Sequence, residues 1–301
     1  MQQFDLPVSG AAHPLAVRRF LPPAGMAAQG SVVIGAAFCV PQTFYAPFAQ
    51  WLATQGWAVT TFDCRGQGAS LHGPMRAVRA DLHDWVRDYG AVIAHAADAL
   101  PGRPLLLVGH SLGAQLPGLL QEKHRVSGLL AVAAGSGYWR QNAPRLRRAM
   151  PFFWHALVPL SVRLCGYFPG RRLRAVGDLP RGVALQWRRW CLHPRYSAGA
   201  EGEKAERSYA EVRFPIHALR MADDEMMTLA GTEALLALYS GAPRQIERIA
   251  PQDVGARRIG HFGFFRDSFA ATLWPRAAQQ LAQLAEGQGT GLTACGAASP
   301  A

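Results

Sequence analysis

The sequence predicts an α/β protein with a mostly parallel sheet of eight strands and helices on both faces. Two observations carry this prediction: short apolar runs end in glycine-rich turns, and amphipathic helical patterns lie between those runs. A chain of 301 residues, 50% hydrophobic and 17% charged, can also bury a substantial core. We therefore expect one large domain, with or without an insertion.

Eight segments have the length and composition of strands. They are Phe4–Val8, Leu15–Leu21, Ser31–Phe38, Ala58–Asp63, Leu105–Gly109, Leu129–Ala134, Ile216–Met221 and Gln245–Ala250. The first two flank a Ser-Gly pair and are expected to form an antiparallel hairpin at the sheet edge. The others are separated by helical patterns, as repeated βα units require.

Helical periodicity fills the intervals between the later strands. The predicted helices are Ala46–Gln55, a helix whose apolar face carries Val78, Leu82, Trp85, Val86, Tyr89 and Ile93, then Ala114–Gln121, Gly231–Tyr239 and Trp274–Ala285. The chain ends in small residues, and the tail 287–301 is expected to be disordered.

The interval 137–210 breaks this rhythm, because it has more than 70 residues and no clear strand. A structureless loop of that length is unusual in a compact domain. We therefore predict a helical insertion, called the cap segment below, over a core formed by residues 1–136 and 211–286. The interval 138–207 carries 14 Arg or Lys and 4 Asp or Glu, a net charge of +10, so the rest of the chain holds only +1 of the total +11.

The cysteines and the hydropathy indicate the cellular compartment in which the protein is expected. Five cysteines form no C-x-x-C pair, which argues against a disulfide framework or a zinc site. We read no secretory signal at the N-terminus, and the most apolar stretch, Pro151–Phe168, is too short and too interrupted for a membrane span. These features predict a cytoplasmic protein.

The strongest motif is Gly-His-Ser-Leu-Gly at 109–113, directly after the apolar run ending at Val108. The spacing G-x-S-x-G is weak alone, but here it joins a buried strand to a helix, which is the setting of a nucleophile elbow. Glycines on both sides of Ser111 permit the sharp turn that exposes its hydroxyl. Ser111 is therefore the candidate nucleophile.

A serine hydroxyl needs a base, and the base needs an orienting carboxylate. Of the ten histidines, His261 alone lies in a glycine-rich loop after the last strand and before the last helix. The strand Ile216–Met221 runs into three carboxylates, of which Asp224, third after the strand end, is preferred to Asp223, with Glu225 as a third alternative. The aspartate that does not serve as the acid is expected to cap the following turn.

The oxyanion of such a reaction needs two backbone N–H donors. Leu112, which follows the nucleophile, supplies the first. For the second, in the loop after the Ser31–Phe38 strand, we expect Ala37, with Phe38 as the alternative. His110 is expected to be a packing residue, because adjacent side chains on an elbow point apart.

Taken together, the sequence resembles the α/β-hydrolase superfamily over nearly its whole length. The elbow, the turn Asp63–Ser70 (DCRGQGAS), the turn 222–225 (ADDE) and the histidine loop follow the order of that family. More narrowly, it is similar to a bacterial subgroup related to serine aminopeptidases and monoacylglycerol lipases. The segments that carry this likeness are GHFGFFR at 260–266, QWRRWC at 186–191, FPGRR at 168–172 and VPQTFY at 40–45. The resemblance implies Ser111, His261 and Asp223 or Asp224 as a triad, an acyl-serine intermediate, and neither a metal nor another cofactor.

Two positions depart from the pattern of the family. Pro117 stands in the elbow helix, where its ring opposes the carbonyl of Gly113 and removes one N–H, so a kinked or tightened first turn is expected. Cys39 stands in the oxyanion loop where a glycine would be usual, which leaves the second donor open between Ala37 and Phe38.

The leading hypothesis is a serine hydrolase that cleaves an ester or thioester of an apolar acyl group. An aminopeptidase or amidase is the alternative, and it would need an acidic residue in the cap segment to bind a free amine; Glu201, Glu203 and Glu206 form the cluster available there. A non-catalytic binding scaffold is a third hypothesis.

The arginines and aromatic residues of the cap segment leave its partner open. Three roles are open: the aromatic residues can cover an acyl pocket, the arginines can attract an acidic substrate, or the cap segment can rest on an anionic surface. A fourth alternative is that the arginines form only a solvated surface. Their spacing matches no nucleic-acid module, so no nucleic acid is expected as a partner.

Overall fold

Residues 1–287 are described by a computed structural model, which has an eight-stranded main sheet and a separate two-stranded ribbon. The strands in chain order are β1 Gln2–Leu6, β2 Leu15–Phe20, β3 Gly30–Gly35, β4 Trp57–Phe62, β5 Leu105–His110, β6 Gly128–Val132, β7 Tyr167–Phe168, β8 Leu179–Pro180, β9 Ile216–Met221 and β10 Arg244–Ile249. The main sheet has the order β1-β2-β4-β3-β5-β6-β9-β10. The predicted tail lies outside the described residues from position 288 onward.

The helices surround the main sheet and the cap segment. They are α1 Ala46–Thr54, α2 Leu82–Asp98, α3 Leu112–Gln115, α4 Pro144–Phe152, α5 Val158–Cys165, α6 Arg181–Leu192, α7 Tyr196–Glu201, α8 Glu203–Ala210, α9 Leu229–Leu238 and α10 Trp274–Glu286. Short 3-10 turns connect several of them.

The pairing of the strands confirms the predicted fold class. β1 and β2 form an antiparallel hairpin at one edge, and β2 is antiparallel to β4. The neighbouring strands β4, β3, β5, β6, β9 and β10 pair in parallel in that order. The carboxyl ends of the parallel strands therefore meet at one edge of the sheet, where the loops that carry function gather in such folds.

β5 is buried on both faces because helices cover each side of the sheet. Leu107 packs in the core cluster that includes α2, and its neighbour Leu106 packs in the cluster that includes α1 and α10. Alternate side chains of a strand point to opposite faces, so a strand between two helical layers is apolar throughout. This rigid strand carries the candidate nucleophile at its end.

The cap segment, between β6 and β9, contains five helices, α4 to α8, and the antiparallel ribbon of β7 and β8. The prediction of a helical insertion did not include this ribbon. Each ribbon strand has two residues, which is too short for an alternating pattern to be visible in the sequence. A π-helical turn, Phe153–Leu157, joins α4 to α5, and Pro159 next to it lacks the N–H that a regular helical ladder would use.

The helix after the elbow is shorter than expected. α3 ends at Gln115, and a 3-10 turn, Leu116–Leu119, takes the place of the predicted helix to residue 121. Pro117 accounts for this change, since it cannot donate an N–H to the carbonyl one turn earlier. The first turn after Ser111 is nevertheless helical.

Each of the four cysteines within the described residues, Cys39, Cys64, Cys165 and Cys191, is free. Over the same residues, 1–287, no helix combines the length and the hydropathy that crossing a bilayer would require.

Candidate active site

Ser111 lies at a sharp turn between the end of β5 and the start of α3. Its backbone has a positive φ, with φ 51° and ψ −109°, which is unusual for a residue with a side chain. Two backbone hydrogen bonds hold it there: its N–H donates to the carbonyl of Val132 at 3.1 Å, and its carbonyl accepts from Ala114 at 3.0 Å. The turn is that of a nucleophile elbow.

The glycine at position 113 is required by a close approach of two backbones. A Cβ atom on Gly113 would lie 2.0 Å from the carbonyl oxygen of Gly35, at the end of β3. Only a residue without a side chain allows this contact. The elbow is thereby pressed against the loop that follows β3, so Ser111 and the candidate oxyanion loop are neighbours.

His261 and Asp224 are hydrogen bonded to each other. Nδ1 of His261 lies 2.7 Å from Oδ2 of Asp224, and both side chains are buried. The other oxygen of Asp224 accepts the N–H groups of Met226 at 2.8 Å and Met227 at 3.0 Å. Because Nδ1 donates to a carboxylate, Nε2 of His261 carries a lone pair that can accept a proton.

Asp223 holds the loop that carries His261. Its carboxylate accepts the N–H groups of Ile259 at 2.9 Å and Gly260 at 3.1 Å. The expectation that the second aspartate caps its own following turn was wrong, since Asp224 makes those contacts while Asp223 reaches to the distant loop. The two adjacent carboxylates therefore have different partners.

The backbone amides near Ser111 differ in availability. The N–H of Ala37 donates to Oη of Tyr45 at 2.9 Å, so it is already engaged. Within residues 1–287, no acceptor takes the N–H of Phe38 or of Leu112. The geometry thus argues against Ala37, our first choice for the second donor, and favours the alternative, Phe38.

His110 joins the histidine loop to the oxyanion loop through a buried chain of hydrogen bonds. Its Nε2 donates to the carbonyl of His261 at 2.9 Å, and its Nδ1 accepts from Oη of Tyr45 at 2.9 Å. Burial, together with the nearby imidazole of His261, holds the pKa of His110 well below its ordinary value. His110 is therefore neutral, and Tyr45 in turn accepts from Ala37.

A pocket of about 310 Å³ lies between the core and the cap segment and is bordered by both Ser111 and His261. Most of its lining is apolar. The lining residues are Ala37, Phe38, Ser111, Gln115, Gly137, Asn142, Leu146, Met150, Phe153, Trp154, Ala175, Val176, Trp187, Cys191, Tyr196, Met226, Met227, His261 and Phe262. Its size is within the range of sites for small molecules.

Within the described chain, no hydrogen bond joins Ser111 to His261, although both border the pocket. Such contacts are often long in enzymes without substrate. Over residues 1–287 no group of three or more His, Cys, Asp or Glu side chains is arranged to hold a metal ion.

A family profile described as "Serine aminopeptidase, S33" matches residues 27–183, more than half of the 301 residues. The chain belongs to this family. It is thus a hydrolase with the α/β-hydrolase fold. A comparison with curated proteins finds no match.

Solved structures share the fold of this S33-family hydrolase at low sequence identity. A soluble variant of monoglyceride lipase from Saccharomyces cerevisiae, in complex with a substrate analogue, has a TM-score of 0.68 and 15% identity, over 95% of this chain and 97% of that chain. A monoacylglycerol lipase from Paleococcus ferrophilus has a TM-score of 0.61 and 15% identity, over 90% and 99%. A thermophilic esterase from Thermogutta terrifontis has a TM-score of 0.57 and 15% identity, over 95% and 100%.

Sequence reasoning missed two polar residues at the site of this S33-family hydrolase. Tyr45 ends the segment VPQTFY at 40–45, which carries the family resemblance, but its hydrogen bond to the Ala37 amide was not predicted because it depends on how that loop packs. His110 was read as a packing residue, yet both of its ring nitrogens are hydrogen bonded. A histidine at the end of a fully buried strand needs hydrogen-bond partners for its ring nitrogens. Its position in the sequence could therefore have predicted these bonds.

Because the two aspartates have different partners, replacing each of them by asparagine is expected to have a different effect. Asp224→Asn is expected to slow labelling of Ser111 by a fluorophosphonate by roughly a thousandfold or more, because an amide that donates to Nδ1 leaves the proton on Nε2. Asp223→Asn is expected to retain most of the labelling rate and to lower the unfolding free energy by about 1–3 kcal/mol, since it weakens buried hydrogen bonds. Labelling kinetics and thermal unfolding measure the two effects. An inactive Asp223→Asn beside a fully reactive Asp224→Asn would reverse the assignment.

Proposed function

We propose that the chain is a serine hydrolase that cleaves a carboxylic ester or thioester of an apolar acyl group, with Ser111, His261 and Asp224 as its triad. The observation that carries the proposal is the apolar pocket that borders both Ser111 and His261. The lipases and esterase that share the fold carry activities of the same kind in their names, which supports the proposal.

The proposed reaction begins with attack of Ser111 Oγ on the acyl carbonyl, while Nε2 of His261 takes the hydroxyl proton. Asp224 keeps His261 in the required tautomer and stabilises the imidazolium that forms. The carbonyl oxygen becomes an oxyanion, for which the N–H groups of Leu112 and Phe38 are the proposed donors.

The tetrahedral intermediate then collapses with cleavage of the bond to the alcohol or thiol. The leaving group departs with the proton from His261, and the acyl group stays on Ser111. Water next attacks this acyl-serine, again with His261 as the base, and releases the carboxylic acid and the free hydroxyl of Ser111.

The lining of the pocket supports a neutral acyl group over a substrate with a free amine. Among the described residues, no aspartate or glutamate lines it. A buried ammonium group would need a carboxylate partner, since burial of an unpaired charge is costly. Apolar side chains such as Met150, Phe153 and Trp187 instead suit a hydrocarbon chain.

The acidic cluster needed for aminopeptidase activity is engaged elsewhere. Burial alone would raise the pKa of Glu201. Hydrogen bonds nevertheless lower this pKa to about 2, and they come from Gln186, Trp190, His83 and Arg189. Glu203 pairs with Arg207 at 2.5 Å and Glu206 pairs with Arg195 at 2.6 Å. These contacts argue against the aminopeptidase alternative.

We further propose that the cap segment, residues 137–210, rests on an anionic lipid surface. Between residues 137 and 177 the chain has eight arginines and no acidic residue. In the described structure none of the eight takes part in an ion pair. They are Arg140, Arg145, Arg147, Arg148, Arg163, Arg171, Arg172 and Arg174. Leu164, which is 80% exposed, and Phe152, 67% exposed, lie among them. Exposed apolar side chains beside unpaired cations suit the boundary of an anionic bilayer.

The proposed activity is tested with a series of p-nitrophenyl esters of increasing acyl length beside aminoacyl anilides. We expect ester hydrolysis to exceed anilide hydrolysis, and longer acyl chains to be preferred to acetate because the pocket is apolar. Ser111→Ala is the control for each substrate and for fluorophosphonate labelling.

Loss of labelling in Ser111→Ala is the expected result. Labelling that persists in this variant would contradict the choice of nucleophile. A preference for anilides would establish the aminopeptidase alternative, and a wild-type protein that neither labels nor hydrolyses any substrate would establish the binding scaffold.

The lipid proposal is tested by sedimentation with phosphatidylcholine vesicles, with and without phosphatidylglycerol. Binding is expected to require the anionic lipid and to weaken at high salt, because counterions screen the attraction. Replacing Arg171, Arg172 and Arg174 together by Gln should reduce it by about a hundredfold, since each basic residue near such a surface contributes about 1 kcal/mol. A matched variant that replaces three exposed arginines of the core, at positions 103, 248 and 257, should bind as wild type does. Equal loss in both variants would contradict a role for this face.

A further inference from the structure

The oxyanion loop, residues 36–41, is contacted from the cap segment at the residue proposed to donate to the oxyanion. The ring of Phe38 lies 4.5 Å from the ring of Trp187, measured between centroids, at an interplanar angle of 33°. Trp187 belongs to α6 and also lines the pocket. On its other side Phe38 contacts Trp85 of α2, at 5.6 Å. The side chain attached to the candidate donor is therefore held between the core and the cap segment.

A second contact falls on the next residue. A Cβ atom on Gly177 of the cap segment would lie 2.6 Å from Cβ of Cys39 and 3.3 Å from its sulfur, so the side chain of Cys39 packs against the backbone of a glycine. The carbonyl of Asp178 lies 3.8 Å from Sγ of Cys39, and it accepts a hydrogen bond from Nε2 of Gln67 at 3.2 Å. This strip of the cap segment therefore packs directly on Cys39.

Cys39 has a backbone conformation that needs support. Its φ of 58° lies in the left-handed region, which is unfavourable for a residue with a side chain. Such a conformation persists only where surrounding contacts impose it. From the core side, the loop is held by the hydrogen bond of Ala37 to Tyr45, and within the loop the N–H of Val40 donates to the carbonyl of Ala37 at 3.2 Å. From the other side, it is held by the cap segment.

We infer that the cap segment sets the position of the Phe38 amide, and that Gly177 and Trp187 are positioning residues for the oxyanion hole. This inference rests on the proposed function. It assigns the cap segment a second role besides covering the pocket: the second oxyanion donor is in place only when the cap segment is seated on the loop.

The arrangement also links the fit of the acyl group to the chemical step. Trp187 contacts Phe38 on one side and borders the pocket on the other. An acyl chain that fills the pocket supports Trp187 against Phe38, whereas a short acyl chain leaves that space empty. Longer acyl chains therefore raise kcat as well as lowering KM, because the oxyanion hydrogen bonds are strongest in the transition state.

Gly177→Ala tests the inference, because Gly177 is not among the residues that line the pocket. The added methyl group collides with Cβ of Cys39, which is fixed to the backbone, so the loop and the cap segment must separate. We expect kcat for a long-chain p-nitrophenyl ester to fall by about tenfold or more while KM changes little, since small displacements of catalytic groups are costly.

Cys39→Gly supplies a rescue. Glycine at position 39 removes the Cβ atom that the new methyl group at position 177 would meet, and it suits a positive φ. The double variant Cys39→Gly, Gly177→Ala is expected to recover most of the lost kcat. Gly199→Ala is the matched control in the cap segment, because its new methyl group meets the imidazole of His193 and Cβ of Arg195 rather than the oxyanion loop, and it should keep the wild-type kcat.

Thermal unfolding of each variant separates positioning from a loss of folding. An unchanged kcat in Gly177→Ala would overturn the inference, and so would a double variant that stays as slow as Gly177→Ala at equal thermal stability. Neither result would contradict the proposed function, because wild type would still hydrolyse the ester. If wild type shows no Ser111-dependent hydrolysis, the proposed function fails and the inference fails with it.

Discussion

The site depends on one buried chain of hydrogen bonds that runs through His110. Nε2 of His110 donates to the carbonyl of His261, Oη of Tyr45 donates to Nδ1, and the N–H of Ala37 donates to Oη. Because the pKa of His110 is held low by burial and by the adjacent imidazole of His261, only this arrangement of protons satisfies every member. Three loops that are distant in the sequence are thereby held in fixed relation around Ser111.

The hydrogen bonds through His110 and Tyr45 engage one of the backbone amides near Ser111 and leave others without an acceptor within residues 1–287. The amide of Ala37 donates to Tyr45, whereas the amides of Phe38 and Leu112 have no acceptor among the described residues and are the donors we propose for a developing negative charge. The carboxylates are divided in the same way, since Asp223 binds the backbone of the histidine loop and Asp224 binds the imidazole. Preorganised donors of this kind need no rearrangement during the reaction, which is why they are effective in catalysis.

The sequence was most informative where the proposed catalytic residues follow the ends of strands. Ser111, Asp224 and His261 each follow a recognisable apolar run, so their order along the chain, together with the parallel sheet, predicts that they lie at one edge. The eight strands and the edge hairpin follow from the same local patterns. Contacts between residues distant in the sequence were not predictable in this way. The hydrogen bond from the Ala37 amide to Tyr45 depends on how separate loops pack, and so do the hydrogen bonds that Asp223 accepts from residues 259 and 260. The short ribbon was missed because two residues carry no periodicity.

The central claim is that the amides of Leu112 and Phe38 receive the oxyanion formed when Ser111 attacks. A crystal structure of the protein after reaction with a long-chain alkyl phosphonate tests it directly, because the phosphonyl oxygen mimics the oxyanion. We predict a covalent bond from Ser111 Oγ to phosphorus and a phosphonyl oxygen within about 3 Å of both nitrogens, with Ala37 still donating to Tyr45. An adduct on another residue, or an oxygen bound by Ala37 after its bond to Tyr45 has broken, would contradict the account.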